Sequence, residues 1–397
     1  MSFKRLFSFA AFVLAFLTAA NSFSINNFEF KPSLQSYAGA SNNKSAIYNG
    51  EDYSLAYLFI NAPLQYSFDV IPAALYAEPY FKTYYSKAFE EDQKLAFANA
   101  FLLLNFGQYS LKLGRQYYAD SDTNFAVYFG PDDNYDFSFP SYIDGAAFSF
   151  GGDILSYDII LGKAEDLTGG FKLDISPYAF WKISLFSYFT QLPKEETLYL
   201  FGGGTRLNLT SKLSAAAYFA FNAGKEEYQM FNNSFEKKYN GYFLGVNAEA
   251  DLSSDSLSTL LFLNWAFSSP SDRSSEPFTP ISAYNIYGDI AGGQKLFSNA
   301  IQALSFGVNI SPQAMARLNL DFEIFYYSSS FKDSFNQYIG SEVNLSAAYA
   351  FDDFSLKLNY AYFYPDTGFL EEASLSSYDI NKYIHMLGLY LCIDKLF

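Results

Sequence analysis

From about residue 27 onward the chain repeats one pattern, short runs in which apolar and polar side chains take turns. Between 314 and 328, Ala316, Leu318, Leu320, Phe322 and Ile324 alternate with Arg317, Asn319, Asp321 and Glu323. In the next run Val343, Leu345, Ala347 and Tyr349 oppose Glu342, Asn344 and Ser346. After that Phe354, Leu356, Leu358, Tyr360 and Tyr362 oppose Ser355, Lys357 and Asn359. Between 239 and 251, Leu244, Val246 and Ala248 oppose Asn247 and Glu249. A two-residue period puts alternate side chains on opposite faces of a β-strand. The pattern predicts strands near 27–39, 53–66, 73–85, 95–106, 109–118, 142–150, 154–163, 170–176, 178–190, 197–208, 212–223, 239–251, 256–267, 300–310, 314–328, 339–350, 354–364 and 383–396. The pattern is weakest in the first three and across 170–190.

The connections follow a rule of their own. Every second one is a tight turn, among them Gly107-Gln108, Gly151-Gly152-Asp153, Thr210-Ser211, Ser253-Ser254-Asp255, Ser311-Pro312-Gln313 and Asp352-Asp353. Residues of these types form turns readily. The connections between them are mostly longer and polar, at 119–141, 224–238, 268–299, 329–338 and 365–382. That asymmetry predicts a single all-β, transmembrane antiparallel β-barrel of about 18 strands, with 16 as the alternative, short periplasmic turns and long external loops. A charged side chain on the lipid face costs roughly 2–4 kcal/mol at midplane, so each polar parity is expected to face inward. Arg317, Asp321, Glu323, Glu342 and Lys357 are then pore-lining candidates, either exposed to solute or paired with one another. Barrels of about sixteen to eighteen strands enclose an aqueous channel.

Composition agrees. Half the residues are hydrophobic and 21% aromatic, with 45 Phe and 35 Tyr, as expected of a lipid-facing jacket with aromatic rims. Lys4 and Arg5, an apolar run from Leu6 to Ala20 and small residues through Ser24 read as a signal peptide over 1–24, leaving 25–397 as the barrel domain. The single cysteine, Cys392, excludes an intramolecular disulfide scaffold. A net charge of −16 disfavours nucleic acid as a partner and favours cations in an aqueous channel.

The last stretch, Tyr383 to Phe397, places Leu387, Leu389 and Leu391 on one parity and ends on an aromatic. It resembles the C-terminal strand of bacterial outer-membrane β-barrel proteins, which the insertion machinery reads, although Lys395 stands where an apolar residue is usual. Leu113-Gly114-Arg115-Gln116 ends a strand before a loop of about two dozen residues, and Asp144-Gly145-Ala146 opens the strand after it. This arrangement resembles outer-membrane porins, including the alginate-export-like group. The resemblance implies a loop that folds into the lumen, with a solvated external loop as the alternative, and places Arg115 and Gln116 near a constriction, with Lys112 beside them. Arg115 shares the parity of Leu111 and Leu113, so it lies either beyond the lipid edge or on a bulge at Gly114 that re-aims it. It also implies a setting in outer-membrane lipid and lipopolysaccharide, with homotrimer and monomer as the alternatives. The loop itself carries Asp120, Asp122, Asp132, Asp133 and Asp136 and no basic residue between 119 and 142. An acidic constriction argues for cations and against an alginate-like polyanion. The same aspartates could bind calcium, but no EF-hand spacing accompanies them.

Catalysis finds no support. The one histidine, His385, falls on the lipid-facing parity, no serine accompanies it in its strand, and no Gly-x-Ser-x-Gly, metal-ligand pair or phosphate loop occurs. No cofactor is expected. The leading expectation is passive diffusion of small hydrophilic solutes or ions with a weak cation preference. Two alternatives stand beside it. One is a barrel-anchored surface-interaction protein using loop 268–299. The other is a sugar channel with Tyr76, Tyr80 and Tyr84 as a stacking track.

Overall fold

The computed structural model describes residues from Phe23 to Ile393, apart from 26, 32, 42–52, 87–91, 120–126, 130–141, 165, 192–195, 231–232, 270–274, 277, 279–300, 330–337, 353 and 367–383. Eighteen strands make one closed antiparallel sheet. In chain order they are β1 (Ser33–Ser41), β2 (Tyr53–Asn61, resumed at Leu64–Ser67), β3 (Ala73–Ser86), β4 (Asp92–Phe106), β5 (Tyr109–Gln116) and β6 (Ile143–Gly151). Then come β7 (Leu155–Lys163), β8 (Leu167–Tyr178), β9 (Trp181–Gln191), β10 (Thr197–Thr210), β11 (Leu213–Met230) and β12 (Tyr242–Asp251). The last six are β13 (Leu257–Ser268), β14 (Ile301–Pro312), β15 (Leu318–Ser329), β16 (Tyr338–Ala350), β17 (Ser355–Pro365) and β18 (Ile384–Ile393). Each pairs with its neighbour in sequence, and β18 closes on β1 from Leu34↔Ile393 to Ser41↔Met386. Closure leaves the sheet no free edge, which matters where no water can satisfy backbone groups.

The parity expected from the sequence is the parity observed. Leu320, Ile324 and Tyr326 point outward and are exposed, while Asp321 and Glu323 point into the barrel with Phe325 and Tyr327. Leu345, Leu356, Leu358, Leu387 and Leu389 continue the apolar outer face around the wall, and His385 shares it, its Nδ1 2.7 Å from the Tyr360 hydroxyl. Outward aromatic rings gather towards both ends. Tyr109, Phe150 and Tyr157 pack at 4.9 and 5.3 Å near the short-turn end, as do Phe351 and Phe354 at 4.2 Å. Tyr242 and Phe267, at 5.7 Å, lie near the long-loop end. Such belts suit the two interfaces of a bilayer.

Local chemistry sets the turns. Gly107 has φ +69°, a conformation an L side chain rarely adopts, so it supplies the two-residue turn between β4 and β5. The 170–190 region is two strands as expected, with the turn at 179–180. The expected loop 224–238 is instead largely strand, since β11 runs on to Met230 and pairs with Asn233–Tyr239 in a projecting hairpin. The segment 314–328 starts later than its periodicity indicates. Gln313–Met315 forms a 3-10 turn and β15 begins at Leu318, which leaves Arg317 in the connection. At the amino end Phe28–Phe30 pairs with Leu64–Tyr66 and with Phe23–Ile25, extending the sheet below β1. Of the segment 1–24 expected to be a signal peptide, residues 1–22 lie outside the described residues.

Ile159, at the centre of β7, faces outward, and Ser149, on β6 opposite Asp158, faces inward. Ile159→Arg should lower barrel stability in lipid by about 2–4 kcal/mol. Ser149→Arg should change it by no more than ~0.5 kcal/mol. Equilibrium unfolding of the lipid-refolded protein measures both.

Candidate functional site

The lumen divides into three regions, each set by what its inward parity carries. Towards the long-loop end, the inner faces of β6 to β13 are mostly apolar, with Thr168, Thr190, Asn222 and Ser268 among them. Ile143, Ile160, Phe186, Tyr188, Leu200, Ala220, Phe243 and Ala266 form one cluster there, and Val127 and Phe129 of the 119–142 loop are buried in it. The start of the loop pairs with its middle, Tyr118–Ala119 against Tyr128–Phe129. The Tyr118 and Tyr188 hydroxyls lie 2.7 Å apart, tying the loop to the wall. The loop therefore folds into the barrel at this segment. Phe278, from the 268–299 connection, joins the same cluster 5.5 Å from the Phe243 ring, beside Ser275–Glu276, which pairs with Lys238–Tyr239.

Below that apolar seat, β8 to β10 carry cations. Lys172 stands opposite Phe186, and Lys182 stands opposite Arg206. Both lysine Nζ atoms lie 3.1 Å from Asp174 Oδ2, Ser184 Oγ donates to Asp174 Oδ1 at 2.6 Å, and Arg206 donates to the Tyr218 hydroxyl at 3.1 Å. A third region, on β14 to β17, carries acids and amides. Asp321 accepts from Asn309 and, at 2.7 Å, from Ser346 Oγ, with Asn319 at 3.4 Å. Glu323 lies between Gly307 and Asn344 on the same inner face. Glu342 is fully buried and accepts from the Tyr327 hydroxyl at 3.3 Å. On β3, Glu78 accepts from Asn61 at 2.7 Å, from Asn99 at 2.6 Å and from the Tyr76 hydroxyl at 3.4 Å, so both oxygens of this buried carboxylate are engaged.

The remaining candidates are placed as follows. Lys112 faces inward, 5.4 Å from the centre of the Phe101 ring, and Lys357 faces inward near the short-turn end, exposed. Gln116 faces inward and is buried. Arg115 does not join them. Its register against Ala100 and Asp144 is unbroken, so it keeps the outward parity of Leu111 and Leu113. There it makes a two-pronged bond to Asp144 at 2.8 and 2.7 Å and lies 3.8 Å over the Tyr142 ring. Gly114, with φ +128°, does not re-aim it. That glycine lets β5 approach β4, since a Cβ there would stand 2.3 Å from the Ala100 carbonyl oxygen. Arg317 is also off the lumen wall and pairs with Asp352 of the neighbouring turn. Asp120, Asp122, Asp132, Asp133 and Asp136 lie outside the described residues. Sequence reasoning missed Lys172, Asp174, Lys182 and Arg206. Their signal was present in the alternation of Phe171, Leu173 and Ile175 with Lys172 and Asp174.

No protein-family model matches this chain, and no curated protein matches its sequence. Solved structures do match its fold. OccK5 (OpdH) of Pseudomonas aeruginosa superposes with a TM-score of 0.61 at 12% identity, covering 91% of this chain and 97% of that one. OccAB3 of Acinetobacter baumannii gives 0.62 at 9% identity over 93% and 100%. The outer membrane protein OprD of Pseudomonas aeruginosa gives 0.57 at 12% identity over 96% and 97%. The chain is similar to these β-barrels along nearly its whole length, and at such identity what is shared is the fold.

Docking of the loop rests on Phe129 and Val127. Phe129→Ala should weaken it by about 3–5 kcal/mol, as for other buried Phe truncations. Tyr118→Phe, which removes one hydrogen bond, should weaken it by about 0.5–1.5 kcal/mol. Limited proteolysis between 119 and 142 follows the open population, so cleavage should accelerate strongly in the first variant and mildly in the second.

Proposed function

We propose that this protein is a channel of the Gram-negative outer membrane through which small hydrophilic solutes and ions diffuse passively. One observation carries the reading: an eighteen-strand barrel, apolar outside, lines its inside with Lys172, Lys182, Arg206, Asp321, Glu323 and Lys357. A barrel of that strand number encloses water, and the exposed inward charges of Lys182 and Lys357 support an aqueous interior. The seating of Val127 and Phe129 on the inner wall supports a narrowing of the passage from the long-loop end, which is the external end in this reading. Lumen charges of both signs support passage of either ion. The overall excess of acids over bases, with a net charge of −16, supports a weak preference for cations.

The fold of the Occ and OprD structures fits this reading. The alginate-export resemblance adds little, because the Arg115 on which it depends is turned outward and bonded to Asp144. A sugar-stacking track is disfavoured, since Tyr80 is 1% exposed and Tyr76 is stacked 5.0 Å from Phe101. Lipopolysaccharide, the insertion machinery and a homotrimer remain part of the proposal through the porin setting alone.

In planar bilayers the purified protein should give steady conductance steps, larger in Phe129→Ala, with cations favoured over anions at neutral pH. Absence of conductance would overturn the channel reading, and anion preference at neutral pH would overturn its acidic bias.

A further inference from the structure

We infer that Asp174 sets the ion preference of this channel by holding Lys172 and Lys182 against the lumen wall. The inference rests on the channel reading above and adds to it the residue that decides how strongly the basic wall acts on a passing ion.

Three cations stand on adjacent strands. Lys172 is on β8, Lys182 on β9 and Arg206 on β10, with Lys182 and Arg206 directly paired across their strands. Like charges placed opposite one another repel, so the arrangement needs an anion close by. Asp174 provides it. The two ammonium groups share one oxygen, Oδ2, each at 3.1 Å, and the other oxygen accepts Ser184 Oγ at 2.6 Å. Both carboxylate oxygens are thereby engaged and their direction fixed. Asp158 is the nearest further acid by register, opposite Lys172 on β7.

Exposure separates the roles. Lys172 is 1% exposed and belongs to the wall, Asp174 is 12% exposed, and Lys182 is 33% exposed and reaches the water. A solute therefore meets Lys182 with a carboxylate behind it. Neutralising Asp174 leaves the shape of the wall and makes the charge beside the passage more positive by one unit. At a separation of roughly 7 Å in water, one unit charge changes the local concentration of a monovalent ion about threefold.

The test uses the full-length protein in planar bilayers across a KCl gradient of about 0.1 M to 0.01 M, dilute enough for charges ~10 Å apart to be felt. Heat-modifiable electrophoretic mobility verifies that each variant is a folded barrel. Asp174→Asn should lower the potassium-to-chloride permeability ratio by up to about sevenfold, because potassium falls and chloride rises by nearly threefold each. Lys182→Gln should raise the ratio, and the double variant should return near wild type. The opposite movements read charge at a fixed place, which a loss of packing would not produce. If Asp174→Asn conducts with an unmoved reversal potential, the inference on Asp174 is overturned and the channel reading stands. If Asp174→Asn does not fold, Lys182→Gln decides, and no shift in that variant overturns the inference. A wild-type protein that does not conduct overturns both.

Discussion

The structure depends on one pairing, that of its last strand with its first. Eight consecutive register pairs between β18 and β1, from Leu34↔Ile393 to Ser41↔Met386, convert an open sheet into a closed one. In hydrocarbon an unpaired N–H or C=O costs several kcal/mol, and an open edge would present a row of them. Everything else follows from that closure. Once the sheet has an inside and an outside, the two-residue period assigns every side chain to lipid or to lumen. Leu358 is then as strictly outward as Asn359 is inward.

Legibility in the sequence followed the chemical contrast between those two environments. Where the lumen wall is polar, alternation gives strand, face and neighbour together, as on β15 to β17 with Asp321, Glu323 and Asn344. Where the inner wall is apolar the contrast vanishes. Phe186, Tyr188, Leu198, Leu200 and Phe243 face inward yet are as hydrophobic as their lipid-facing neighbours, because a loop packs on several of them. Parity alone cannot detect a surface that is dry because the chain covers it with itself. The cations at Lys172, Lys182 and Arg206 were passed over for the same reason, since they lie on strands whose upper halves belong to that dry region.

Two further differences have local causes. Arg317 continues the alternating pattern of its segment, but the 3-10 turn at Gln313–Met315 uses up the residues that would have been strand, so Arg317 meets Asp352 across adjacent turns. Gly114-Arg115-Gln116 looks like a place where a strand re-aims a cation inward. The glycine answers instead to backbone crowding against Ala100, and the arginine stays outward with Asp144 opposite it in register. Paired in this way the arginine is nearly neutral, which makes an outward position near the strand end tolerable.

The loop seat and the basic wall are connected through Lys172. Phe186 belongs to the cluster that receives Val127 and Phe129, and its cross-strand partner is Lys172. Lys172 is 1% exposed, and a buried ammonium is tolerable only beside an acid with further hydrogen bonds to fix it. Asp174, held by Ser184, meets that condition and takes Lys182 as well. The apolar packing that brings the loop into the barrel and the ion pair that quiets the wall beneath it are therefore one arrangement. A change that undocks the loop should rehydrate Lys172, loosen its hold on Asp174 and alter the charge met by ions well below the loop itself. In the channel proposed above, width and ion preference would then be linked through the cross-strand pair of Phe186 and Lys172.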